Sequence, residues 1–152
     1  MAAKNRSLLV QKGVNAKEWC FFQFVRFFEC IQYKNNKETP RIGYSSELKT
    51  EPVRFKQKAT FSFQSSDLSH ISKDKDLTEI YVNFLGLLGP DGPLPLALTE
   101  YIFNRSKHFE DKTLTNFLDM FHHRMISFYY RAWADSQLTV NADRPDSDNF
   151  RK

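Results

Sequence analysis

LTNFLDMFHHRMISFYYRAW, residues 114–133, is the stretch on which the fold turns. Apolar residues recur through it at helical intervals, and Asp111 or Thr113 just upstream can cap a helix start. The spacing predicts one long helix ending near Asp135. Leu114, Phe117, Leu118, Phe121, Met125, Phe128, Tyr129 and Trp133 mark its apolar face. At about 1.5 Å per residue it is roughly 35 Å long, which suits bundling or spanning. Asp119, His122 and His123 then read as the polar stripe of an ordinary helix face.

Working upstream, GLLGPDGPLPLALTEYI (86–102) passes from a strand-like stretch through a proline-rich loop into a second helix, from Pro95 to about Arg105. A phosphate cradle converges backbone N–H donors on an anion. Pro90, Pro93 and Pro95 each delete such a donor, and Leu94, Leu96 and Ala97 stand where charge-pairing groups belong. The loop reads either as a rigid docking element or as a stiff strand-to-helix turn packed on its own core.

Further upstream the period shortens. TEIYVNFLGL (78–87) places Ile80, Val82 and Phe84 on one face of a strand, preceded by a charged loop around residues 72–77. Val53–Lys56 and Thr60–Phe63 alternate in the same way, with Pro52 at a strand start or edge. AKEWCFFQFVRFFECIQY (16–33) is a third helix, because Gln23, Arg26, Glu29 and Gln32 recur at helical spacing in an otherwise apolar run. Burying Phe21, Phe22, Phe24, Phe27 and Phe28 would contribute roughly 8–15 kcal/mol, at about 1.5–3 each. So wide a dry face exceeds what a small domain needs, and a partner helix would cover the surplus.

These elements define an α+β fold, predominantly helical, with three main helices and a few short antiparallel strands between the first and second. The 152 residues suit one domain. Fifteen Phe, six Tyr and two Trp against a mean hydropathy of −0.55 concentrate the large apolar groups in a few segments. The net charge of +4 is uneven, +7 over residues 1–60 and −3 beyond, but the basic residues are scattered among acids. Cys20 and Cys30, ten residues apart in the predicted helix, are about 15 Å apart and too distant for a disulfide. They read as buried thiols of a reducing compartment, and no signal-like or membrane-spanning run points elsewhere.

Chemistry-bearing groupings are sparse. Asp119 and His123 can supply two metal ligands at i, i+4 spacing, but His122 diverges by about 100° and no HExxH or CxxC completes a set. Asp119/His123 and Glu100/His108 are the acid/base pairs worth naming, as part of a small metal-dependent hydrolase. No GxSxG nucleophile motif accompanies them. A basic nucleic-acid-binding module through residues 49–58, with VRFKQKATFSF as its aromatic and basic strand, is the other alternative.

The segments NFLGLLGPDGPLPLALTEYI (83–102) and LTNFLDMFHHRMISFYYRAW (114–133), in this order and separation, resemble the type VI secretion baseplate subunit TssG, also called ImpH or VasB. FFQFVRFFECI (21–31) and EPVRF (51–55) are similar to its early helix and following strand. The resemblance implies residues 1–135 as a TssG-like N-terminal domain and 136–152 as a polar linker or truncated tail. It implies a non-enzymatic structural subunit with no cofactor, cytoplasmic and at the inner face of the cell envelope when assembled. The implied partners are TssF, in two copies, TssE, TssK and the VgrG hub. Nucleic acid is not among them, and the membrane is met only indirectly. The candidate partner-interface residues are Phe21, Phe24, Phe27, Phe28, Leu87, Leu88, Pro90, Pro93, Leu94, Pro95, Phe117, Phe121, Phe128 and Trp133.

Overall fold

A computed structural model of the chain describes residues 15–45, 50–74 and 77–145. A 3-10 turn (Ala16–Glu18) leads into α1 (Phe21–Asn35), followed by β1 (Val53–Lys56), β2 (Leu68–Asp74) and β3 (Leu77–Val82). Then come α2 (Leu96–His108), α3 (Thr113–Ser136) and the short α4 (Leu138–Ala142). The helix-rich α+β expectation holds, with the sheet between the first two helices.

The sheet order is β1-β3-β2. β2 and β3 pair antiparallel, while β1 runs parallel to β3, in register Val53↔Thr78 to Lys56↔Tyr81. The parallel pair departs from the all-antiparallel expectation because the chain crosses to the far edge before returning in β3. The end of β2 falls where a charged loop around residues 72–77 was expected, and an irregularity between Leu68 and His70 breaks its alternation. Thr60–Phe63, expected as a strand, is a bend with Phe61 and Phe63 exposed. Pairing passes at Gln57 from backbone to side chain: its amide accepts from Leu88 N at 2.9 Å and donates to Leu88 O at 2.8 Å.

The main core joins Phe21, Phe24, Val25 and Phe28 of α1 to Val53, Phe55, Ile80 and Val82 of the sheet and Ile126 and Tyr130 of α3. Glu29 and Gln32, expected to face out, are buried. The Glu29 carboxylate accepts from Ile42 N at 3.1 Å and from the Tyr130 hydroxyl at 2.9 Å, so it ties α1 to α3. Burial and this carboxylate push the Tyr130 phenol upward from its ordinary range. The thiols also differ from expectation: Cys20 is exposed at the α1 N-cap, and Cys30 is half-buried against Asp143.

Residues 136–145, expected to begin a polar tail, include α4, and Val140, Asn141 and Arg144 are buried. Arg144 donates to Thr39 O at 3.0 Å, and Arg26 pairs with Asp143 at 2.6 Å. Residues 146–152 of that expectation lie outside the described residues.

Candidate protein-binding surface

The long helix is turned over relative to its sequence pattern. Leu118, Asp119, His122, His123, Ile126, Ser127, Tyr130 and Ala134 are its buried residues, and of these only Leu118 belongs to the expected apolar face. The cause lies in β1. One side of this strand pairs with β3, so the N–H groups of Phe55 and Gln57 on the other side need acceptors, and a buried unpaired N–H is costly. The helix supplies them: Phe55 N donates to His123 Nδ1 at 3.3 Å, and Gln57 N donates to Asp119 Oδ1 at 3.3 Å.

These contacts fix both tautomers. His123 accepts at Nδ1, which leaves Nε2 carrying the proton, 2.8 Å from Glu51 Oε2. His122 accepts from Leu87 N through Nε2 at 3.1 Å, so its Nδ1–H donates to Asp119 Oδ1 at 3.0 Å. The two rings serve different partners, the sheet edge and the Gly-Pro loop. Asp119 and His123 are thus engaged in structure, and no group of three or more His, Cys, Asp or Glu side chains that could hold a metal occurs among the described residues. Glu100 and His108 lie exposed on α2, about 12 Å of helical rise apart.

The loop after β3 is packed as a stiff turn. Leu87 N, Leu88 N and Gly89 N donate to His122, Gln57 and the Thr99 hydroxyl, and Leu94 N donates to Leu87 O. These amides are committed internally, which leaves none of them for an anion. Leu88 is buried, Leu87 and Leu94 are half-buried, and Pro90, Pro93 and Pro95 are exposed on its outer side.

Turning the polar stripe inward puts the aromatic stripe outside. Phe117, Met120, Phe121, Arg124 and Phe128, at helical spacing along one side of α3, are exposed, with Phe121 at 52%. Phe117 and Phe121 meet edge to face at 5.3 Å, and the Arg124 guanidinium lies 4.3 Å over the Phe128 ring. Arg124 also donates to Ser45 O at 3.0 Å. Beside α3 runs a groove of about 770 Å³, lined by Met120, Phe121, Met125, Phe128 and Leu87, with Glu51 and His123 at its polar end.

Of the other candidate interface residues, Phe21, Phe24 and Phe28 are core. Phe27 is exposed and stacked on Trp19 at 5.7 Å. Trp133 is half-buried, stacked on Phe22 at 4.6 Å, beside the exposed Phe84 and Tyr129. The surplus apolar surface therefore sits mainly on α3 and not on α1. Met120 and Arg124 were missed, although their spacing from Phe117 and Phe121 was visible in the sequence.

A family model described as T6SS_TssG, type VI secretion TssG, matches residues 15–152. No curated protein and no solved structure matches the chain.

Proposed function

The chain belongs to the TssG family of type VI secretion, and from that premise we propose that it is a non-enzymatic structural subunit of the baseplate wedge. In this reading it packs with TssF, in two copies, and with TssE and TssK around the VgrG hub, and it primes sheath assembly. It acts on the cytoplasmic side, at the inner face of the envelope. Among the described residues no helix is long and apolar enough to cross a membrane.

The observation that carries the reading is the outward aromatic stripe of α3. A side chain such as Phe121 gains roughly 1.5–3 kcal/mol from full burial, and half of its surface remains in water here. Three phenylalanines left this way on one helix gain stability only when another chain covers them. The imidazole and carboxylate groups that would serve a hydrolase are spent on backbone N–H groups inside the core, which supports assembly over catalysis.

Co-expression with a TssF-like protein, followed by size-exclusion chromatography with mass determination, tests this. A discrete heteromer is expected, and the Phe121→Asp/Phe128→Asp variant is expected to lose it while its thermal unfolding stays unchanged. A folded variant that still forms the heteromer would refute the assignment of this face.

A further inference from the structure

A second surface differs in character from the aromatic stripe. Lys56 and Lys58 at the end of β1, Lys107 on α2 and Lys112 at the start of α3 converge on a groove of about 700 Å³. Two carboxylates, Glu79 and Asp119, share the wall, and both are already engaged. Glu79 pairs with Lys56 at 2.6 Å and accepts from the Tyr81 hydroxyl at 3.2 Å. Asp119 accepts from His122 and from Gln57 N. Among the described residues Lys58, Lys107 and Lys112 form no ion pair, and all three side chains are exposed.

The local sequence opposes this arrangement. Lys112 occupies the N-cap of the 24-residue α3 and makes no side-chain cap bond there; the preceding Asp111 carboxylate accepts from Thr113 N at 3.0 Å instead. Ser, Thr, Asp or Asn is preferred at that position, and the positive end of the helix dipole disfavours a cation. A negative group in the groove meets three lysines at once. In the same wall the Thr115 hydroxyl is shielded from water and has no hydrogen-bond partner among the described residues.

We propose that this groove docks an acidic peptide segment of a partner chain, whose carboxylates pair with Lys58, Lys107 and Lys112. A nucleic-acid strand fits less well. Single strands bind such grooves by stacking bases on open aromatic faces, and here both rings are occupied. Tyr81 is stacked on His70 at 3.9 Å, while Phe103 carries Lys107 at 5.3 Å and Phe61 edge-on at 5.6 Å. This site lies apart from the aromatic stripe and does not depend on its occupant.

The test is fluorescence anisotropy of labelled hexaglutamate titrated with the full chain at low and high salt, with oligothymidylate as competitor. The native chain is expected to bind at low salt and to release the peptide as salt rises. Lys58→Glu/Lys112→Glu is expected to weaken binding by about tenfold or more. Lys34→Glu, an exposed charge on α1, is expected to leave it unchanged, with all variants melting alike. Absence of saturable low-salt binding would overturn the proposal, as would equal binding by the double variant. Oligothymidylate displacing the peptide at lower concentration than hexaglutamate itself would overturn it in favour of nucleic acid.

Discussion

Replacing His122 by alanine is expected to damage the fold more than replacing Phe121, the reverse of what their hydrophobicities suggest. The His122 ring is fully buried and makes two hydrogen bonds, with Leu87 N at 3.1 Å and Asp119 Oδ1 at 3.0 Å. Its loss strands the half-buried Leu87 N–H and leaves the Asp119 carboxylate with only its bond from Gln57 N, together about 1–3 kcal/mol. With the packing lost as well, the cost is about 3–5 kcal/mol. Phe121 is 52% exposed, so Phe121→Ala gives up roughly half the transfer energy of a phenylalanine, about 1 kcal/mol. With a urea dependence of about 2 kcal/mol per molar, His122→Ala is expected to lower the unfolding midpoint by about 1.5–2.5 M, and Phe121→Ala by about 0.5 M. Equal shifts, or a larger shift for Phe121, would refute the inward orientation of the polar stripe.

Three other outcomes follow from single contacts. A Cβ on Gly86 would sit 2.1 Å from the Gln57 side-chain amide and displace it from Leu88, so Gly86→Ala is expected to destabilise by about 1–3 kcal/mol, measured as a fall in Tm. The Asp111 carboxyl is held down to about 2 by hydrogen bonds from the Thr113 N–H and hydroxyl, and then by Arg105. It ionises at lower pH folded than unfolded, so its stabilisation is present above about pH 4 and fades as pH falls toward 2. The stability difference between the native chain and Asp111→Asn should vanish across that window, followed by denaturation at each pH. The Tyr81 phenol is pushed up to about 12 by burial and by Glu79, so Tyr81→Phe is expected to remove a high-pH step from the ultraviolet phenolate titration.

The helices and two of the strands were legible because their patterns repeat. α1, α2 and α3 begin and end within a few residues of where periodicity and proline place them, and β1 falls on the Val53–Lys56 alternation. β2 was hidden because LSHISKD offers only Leu68 and Ile71 as apolar residues, and its bulge interrupts the alternation. The orientation of α3 was the larger miss. Its sequence carries two stripes at helical spacing, one aromatic and one of Asp119, His122, His123 and Ser127. Hydrophobicity favours burying the first. What decides the matter is the unpaired edge of β1, a requirement that exists only once the sheet has formed and that no local window contains. Arg41 and Arg144 were hidden for the same reason: their buried guanidiniums serve Asn141, Thr39 and Glu29, 100 or more residues away.

The most direct test of the central claim, that α3 turns its aromatic face outward to be covered by another subunit, is photocrosslinking in the assembled complex. A photoreactive phenylalanine analogue at position 121 is expected to link to a TssF-like partner, whereas the same analogue at the exposed Asn104 of α2 is not. A complex that forms normally, with no crosslink from position 121, would contradict the account.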